Sequence, residues 1–238
     1  MTTGFPLQDY YTRIYKSYDL VNRLFTFGLD KKWRRHTVEA CLESNPQHIL
    51  DLCCGTGDLA ISIGRAAVNP VRITGFDLNA KMLEIARQKA FRFNTMPVEF
   101  IQGDAGSMPF QDDEFDCITI GFGFRNLTFE NPIRNQHIHE ISRIMKIGAR
   151  LIILESARPE NKFIGFFYRL YLKSFLVPLG GLLSGDWNAY RYLAESSADF
   201  YSFPVLCKML EDHQLNLHVK KKYLLGSVNL LIAIKKGT

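Results

Sequence analysis

The chain has 238 residues, 47% of them hydrophobic, and a formal net charge of +5. A chain of this length buries one substantial core and lies near the size at which cores begin to divide, so a single domain over 1–238 is expected. The positive residues are scattered without a dense Lys/Arg block, which argues against nucleic acid as a partner, and five cysteines with no CxxC spacing read as a reduced, cytoplasmic protein.

Residues 1–18 carry Asp9 and several tyrosines in place of a basic region followed by a short apolar run, so no signal peptide is expected there. The stretches 10–27 and 31–42 read as two helices within an N-terminal segment, 1–45, that could lie over the carboxyl ends of a sheet. Apolar runs of strand length follow at 48–53, 71–76, 98–102, 115–120 and 150–154, separated by helical spacing at 57–67, 79–91 and 131–145. Asn79 and Asn131 occupy N-cap positions, with Pro132 at a first helical position. This alternation predicts an α/β fold with a mostly parallel sheet and right-handed crossovers over 46–158. From 159 to 203 the chain becomes aromatic and glycine-punctuated, predicting a helical cover over a site. The remainder, 204–238, reads as a helix and two antiparallel strands, 215–224 and 228–234, around Gly226-Ser227. In the most apolar stretch, 163–183, Arg169, Lys173, Pro178 and the Gly180-Gly181 pair argue against a membrane span.

Asp51-Leu-Cys-Cys-Gly55-Thr56-Gly57 ends the first strand and opens a helix, placing glycines where the backbone must turn tightly beside a ligand. A dinucleotide fingerprint would want a third glycine where Ala60 stands, and Asp51 suits a cationic amino-acid moiety better than a pyrophosphate, which it would repel. Asp77, about 20 residues past the turn, stands where a carboxylate can accept from both ribose hydroxyls. Asp104, in Gly103-Asp104-Ala105 after the third strand, could meet an adenine amine. Three acids at three successive strand ends mark a ligand crevice in place of a mere turn.

These stretches resemble class I methyltransferases, and the closer similarity is to the ubiquinone/menaquinone biosynthesis C-methyltransferase family over nearly the whole chain. It is carried by Tyr18-Asp19-Leu20-Val21-Asn22 with Trp33 downstream, by 51–60, by Phe122-Gly123-Phe124-Arg125-Asn126, by Arg143-Ile-Met-Lys146-Ile-Gly148-Ala-Arg150 ending in Leu154-Glu155, and by 190–196. The chain departs from the family pattern at Val21, Asp30, Gly121, Ile147 and Ala149. The resemblance implies a Rossmann-like class I methyltransferase fold, mostly parallel with a C-terminal antiparallel strand, N-terminal helices and a helical cover. It also implies S-adenosyl-L-methionine as cofactor, contacted by Thr56, Asp77, Asp104, Ala105 and the Gly121 backbone; Asp51, Gly55 and Gly57 of the glycine turn are expected to bind it as well. The implied reaction is C-methylation of a polyprenyl quinol, demethylmenaquinol ahead of the ubiquinone precursor. A methyltransferase for another aromatic acceptor, or a nonenzymatic S-adenosylmethionine- or lipid-binding module, remains an alternative.

Several features have plainer readings. His137 and His139, two apart on a helix, point to different faces and cannot share a metal, so both are expected to be solvated. Cys53 and Cys54 are expected to pack, and Lys220-Lys221-Lys222 to be a solvated strand start. Tyr18, Asp19 and Asn22 share a helical face that by resemblance lines the pocket. Methyl transfer needs alignment, exclusion of water and a more phenolate-like acceptor; Arg125 is the candidate for that electrostatic role, through water, with a structural, carbonyl-binding loop arginine as the alternative, and Tyr18 as a pocket hydrogen-bonding group. No residue stands out as a general base. Over 161–183, Phe163, Phe166, Phe167, Leu170, Tyr171, Phe175 and Leu176 fall at helical spacing between Lys162, Arg169 and Lys173, predicting a mobile cover that accepts the polyprenyl tail at a membrane surface, with an ordinary core helix as the alternative. Gly165 and Gly180-Gly181 are read as its hinges.

Overall fold

A computed structural model describes residues 7–93 and 95–237, with the side chains of residues 7, 8, 219 and 220 outside the description. The signal-peptide reading of 1–18 therefore falls partly outside the described residues, as does the Lys220 side chain. Strands β1 (His48–Leu52), β2 (Arg72–Asp77), β3 (Val98–Gln102), β4 (Phe115–Gly121), β5 (Met145–Ser156), β6 (Leu215–Tyr223) and β7 (Val228–Lys235) form one sheet in the order β3-β2-β1-β4-β5-β7-β6. The first five are parallel, and β7 runs antiparallel between β5 and β6. The chain winds outward from β1 to β3 and then returns to the other side of β1 through β4, so a crevice opens above the carboxyl ends of β1 and β4.

Every residue of β1 is buried, as a central strand covered on both faces requires. Its side chains alternate: Leu50 and Leu52 join the cluster under Phe115, Ile138, Ile141 and Leu206, whereas Ile49 joins Trp33, Val38, Leu59 and Ile63 on the opposite face. Each such side chain contributes about 1.5–3 kcal/mol by leaving water. The expected 150–154 strand is the straight part of a longer β5, whose earlier residues bend at Gly148, where φ is +80°.

The helices are α1 (Leu7–Ile14), α2 (Tyr18–Phe25), α3 (Leu29–Leu42), α4 (Asp58–Ala66), α5 (Ala80–Phe93), α6 (Phe124–Thr128), α7 (Arg134–Ile144), α8 (Lys162–Tyr171), α9 (Val177–Ser184), α10 (Trp187–Asp199) and α11 (Phe203–Glu211). The single helix expected over 10–27 is broken at residues 15–17, where the Ser17 N–H and hydroxyl both donate to the Ile14 carbonyl. The break lets Ile14 and Val21 enter one cluster with Leu172, Leu176, Tyr190 and Leu193. Asn79 is the N-cap it was read to be, its Oδ1 accepting from the N–H groups of Lys81 and Met82 at 3.0 and 3.2 Å. Asn131 instead accepts from Ile133 and closes a turn, so Pro132 precedes α7 and is not its first residue.

In the cover, α8 and α9 are joined by a π-helical turn, Leu172–Leu176. The widened turn falls where Pro178 would otherwise clash with a carbonyl four residues back. Phe163, Phe166 and Phe167 are 80%, 64% and 64% exposed, and Leu170 is exposed beside them. The hinge reading of Gly180-Gly181 is corrected: a Cβ on Gly180 would lie 2.2 Å from the Tyr190 ring, and one on Gly181 2.4 Å from Trp187. These glycines let α9 cross α10 closely.

Candidate active site

The turn after β1 carries Cys53, Gly55 and Gly57 at φ +56°, +52° and +78°. Gly57 is doubly constrained, since a Cβ there would also meet Ala86 at 2.9 Å. A Cβ on Gly55 would meet nothing within 4 Å, so this peptide faces open space from which a ligand can approach. Cys53 packs against the core, Cys54 Sγ lies where a Cβ on Gly75 would be 3.1 Å away, and burial pushes both thiols well above their ordinary range.

Asp77 accepts from the Gly55 N–H at one carboxylate oxygen and from the Asn79 N–H at the other, both at 2.8 Å. Burial raises its pKa and these two N–H groups oppose the rise. Each oxygen retains a lone pair. The Gly103 N–H donates to the Asp77 carbonyl, which sets Asp104 beside it at the end of β3. The Asp104 side chain is 61% exposed, and its Oδ1 accepts from the Gly106 N–H. Ala105 is buried below. Gly121 ends β4, and the turn that follows lies against the glycine loop, since a Cβ on Gly123 would sit 2.4 Å from Cys53 Cβ. Gly55, Asp77, Asp104 and Gly121 therefore converge on one crevice.

Two expected residues point elsewhere. Asp51 is 1% exposed, with one oxygen accepting from the Ala60 N–H and the other from the Thr119 hydroxyl. It ties β1 to α4 and β4 instead of meeting a cationic moiety, and burial pushes its pKa up to about 7 against those two bonds. Thr56 is buried beneath α2, donating to Asp19 at 2.8 Å and accepting from Lys89 at 2.9 Å. Lys89 also donates to Asp58 at 2.6 Å. Burial alone would raise the Asp58 pKa, but Arg34 and Lys89 bring it below the ordinary value. No motif flagged Lys89; its place three residues after Ala86, on the buried face of α5, was the available signal.

His137 also departs from its reading. It is buried, with Nδ1 2.8 Å from the Leu127 carbonyl and Nε2 3.8 Å from Asp104, whereas His139 is exposed as expected. No cluster with metal-binding composition occurs among the described residues. Lys222 pairs with Glu160 at 3.1 Å, and Lys221 lies over the Tyr223 ring.

Beside the crevice is a cavity of about 350 Å³ walled by Tyr18, Trp33, Phe122, Tyr168, Tyr171 and Leu176, among others, with Arg125 and Ser156 as polar groups. Arg125 is 3% exposed. Its guanidinium donates to Glu155 at 3.1 Å and to Ser156 at 3.0 Å, and its backbone N–H donates to the other Glu155 oxygen. Burial opposes its charge, but the Glu155 carboxylate raises its pKa overall. This ion pair was not anticipated, although both residues stood in quoted stretches. Asn126 donates to the Tyr11 hydroxyl at 2.9 Å. Burial pushes the Tyr11, Tyr18 and Tyr168 hydroxyls upward, leaving them protonated at neutral pH. Three buried polar atoms here lack protein partners: Arg34 Nε, Arg125 Nε and Asn126 Oδ1. Arg34 lies 3.7 Å from Asp58, which follows the turn, and Arg125 stands in the cavity wall, so these unsatisfied groups fit a polar ligand.

The ubiE/COQ5 methyltransferase family model matches residues 4–235. A demethylmenaquinone methyltransferase of Thermotoga maritima is 43% identical, covering 85% of this chain and 84% of the relative. One of Thermus thermophilus is 42% identical, covering 80% and 84%. A ubiquinone/menaquinone biosynthesis C-methyltransferase UbiE of Pseudomonas putida is 37% identical, covering 75% and 69%. A solved SAM-dependent methyltransferase of Thermotoga maritima superposes with a TM-score of 0.65 at 17% identity, over 97% of this chain and all of that one. A putative methyltransferase of Bacillus halodurans superposes with a TM-score of 0.60 at 19% identity, over 86% and 99%. The fold is thus the Rossmann-like one of class I methyltransferases, and the chain belongs to the ubiE/COQ5 methyltransferase family.

Proposed function

We propose that this protein methylates a ring carbon of a polyprenylated hydroquinone, taking the methyl from S-adenosyl-L-methionine, and that demethylmenaquinol is its acceptor ahead of the ubiquinone precursor. The observation that carries this reading is the apolar cavity whose wall includes Phe122, directly after Gly121 at the end of β4, with one buried arginine in it. Such a cavity takes an aromatic ring with an apolar tail, and the relatives named for demethylmenaquinone support the choice of acceptor.

In this reading Asp77 receives the ribose hydroxyls on its remaining lone pairs, the exposed Asp104 carboxylate receives the adenine amine above Ala105, and the Gly55 and Gly121 backbones border the cofactor. Thr56 contributes through the turn it anchors. The cofactor supplies a methyl already electrophilic on a sulfonium. The protein's own residues hold the ring in line with it and keep water out, while the partnerless Arg125 Nε faces the charge that gathers on the ring oxygen. Tyr18, whose hydroxyl stays protonated, orients that oxygen as a donor. The full chain works as one domain, with 159–203 as its cover.

The cover also meets a membrane surface, where such an acceptor resides. Its exposed aromatic face and the neighbouring exposed Lys162 and Lys173 support this. Among the described residues no helix is long and apolar enough to cross a membrane.

The test is incubation with methyl-labelled cofactor and demethylmenaquinol, the ubiquinone precursor competing. Label is expected on the demethylmenaquinol ring. Tight cofactor binding without turnover on any quinol would leave only a binding module.

A further inference from the structure

Among the described residues Arg34 finds no hydrogen-bond partner. On α3, directly after Trp33 of the cavity wall, its side chain is 16% exposed. Its two ion pairs are long, 3.8 Å to Asp30 and 3.7 Å to Asp58. Both carboxylates are engaged elsewhere, Asp30 by the Thr26 hydroxyl at 3.1 Å and Asp58 by Lys89 at 2.6 Å. Arg34 Nε is fully buried with no partner. A guanidinium offers five donors in a planar fork. Leaving Nε buried and unpaired is unfavourable, and an oxyanion bound to Nε and a terminal nitrogen would complete it. Arg143, by contrast, donates to Glu140, Asp112 and two carbonyls.

The position of Arg34 indicates which oxyanion. The sheet order lays Asp104, Asp77 and the glycine turn side by side at the ends of β3, β2 and β1. A ligand whose adenine and ribose meet the first two runs along this edge toward β1 and carries its other end past Gly57. Asp58 follows Gly57, and Arg34 lies 3.7 Å from Asp58 and directly after Trp33 of the cavity wall. We propose that Arg34 is the bidentate anchor for the carboxylate of the methionine half of the cofactor, fixing that end so that the sulfonium faces the cavity. This inference rests on the methyltransferase reading above.

Calorimetric titration of the full chain with S-adenosylhomocysteine and with its decarboxylated analogue tests it. The unmutated protein should prefer the carboxylate-bearing ligand by roughly 10- to 100-fold, the range of a charge-assisted pair. Arg34→Gln should erase that preference while weakening the decarboxylated analogue by no more than about threefold, since its cationic aminopropyl end has no carboxylate for Arg34 to hold. Arg34→Lys, which keeps the charge but not the fork, should retain part of the preference and decides the matter if Arg34→Gln does not fold. Equal weakening of both ligands, or of neither, in a variant that melts normally overturns the inference alone. Failure of the unmutated protein to bind either ligand overturns the cofactor reading and this inference together.

Discussion

Replacing Arg125 by Ala leaves the Glu155 carboxylate buried without its counter-charge. Removing one partner of a buried ion pair typically destabilises by about 3–5 kcal/mol, because the remaining charge keeps its desolvation penalty. Here Glu155 would still accept from the Arg125 backbone N–H at 3.0 Å and from the Ser156 N–H and hydroxyl, both at 2.9 Å. These three donors place the loss near the lower end, about 3 kcal/mol, or a fall in melting temperature of about 6–12 °C for a domain of this size. The double variant Arg125→Met, Glu155→Gln removes both charges but turns an amide NH2 toward the Arg125 or the Ser156 N–H, so it should recover part of the loss and not all of it. Calorimetric melting of the two variants measures both quantities. An Arg125→Ala protein that melts within about 2 °C of the unmutated one would refute the argument that the buried Glu155 carboxylate depends on Arg125 for its counter-charge. Because the double variant separates folding from chemistry, its single-turnover rate then reads what Arg125 does for methyl transfer.

Three other perturbations follow from the same geometry. The Asp51 carboxyl, ordinarily near 3.8, is pushed up to about 7 by burial, so the native state holds a proton that the unfolded chain has already released; stability is full below 3.8 and declines as pH rises through 7. Asp51→Asn can accept from Ala60 and donate to Thr119, so its urea midpoint should be flatter than the unmutated protein's between pH 4 and 7, and an unchanged slope would count against this account. Gly180→Ala drives a methyl to 2.2 Å from the buried Tyr190 ring and should destabilise by about 1–3 kcal/mol, visible on melting, unless α9 shifts without strain. The exposed pair Phe166→Ser, Phe167→Ser should change stability by less than about 0.5 kcal/mol, yet reduce liposome sedimentation and turnover of long-chain quinols more than of a short-chain analogue; equal losses together with a lower melting temperature would return these rings to the core.

What the sequence shows of this fold is what local periodicity encodes. The run 98–102 is the strand found, and the β6–β7 pair forms around Gly226-Ser227 as read. Asp77 and Asp104 border the crevice because position at a strand end is itself local information. Asp51 also stands at a strand end, but its orientation depends on Thr119, its register partner on β4, and that neighbour is known only once the strand order is. Lys89 with Asp19, and Arg125 with Glu155, are separated by 70 and 30 residues, so no spacing rule links them. His137 was legible in principle: Ile138, Ile141 and Ile144 mark the buried face of α7 beside it, and a spacing of two makes one histidine of an H-x-H buried when the other is solvated.

The Arg125–Glu155 pair raises a question of net charge, since a neutral pair has little long-range field to offer a reacting ring. The answer lies in which donor is free. Glu155 and Ser156 hold one terminal nitrogen of the guanidinium, whereas Nε is buried and partnerless. An oxyanion forming about 4 Å from the guanidinium and about 7 Å from the carboxylate would gain about 2 kcal/mol at an effective dielectric near 20, against less than about 1 kcal/mol in water. Applied to charge that exists only in the transition state, 2 kcal/mol is roughly 30-fold in rate. The gain depends on keeping water out, which ties Arg125 to the aromatic wall and the cover: opening the cavity to solvent should slow methyl transfer even with every polar contact intact.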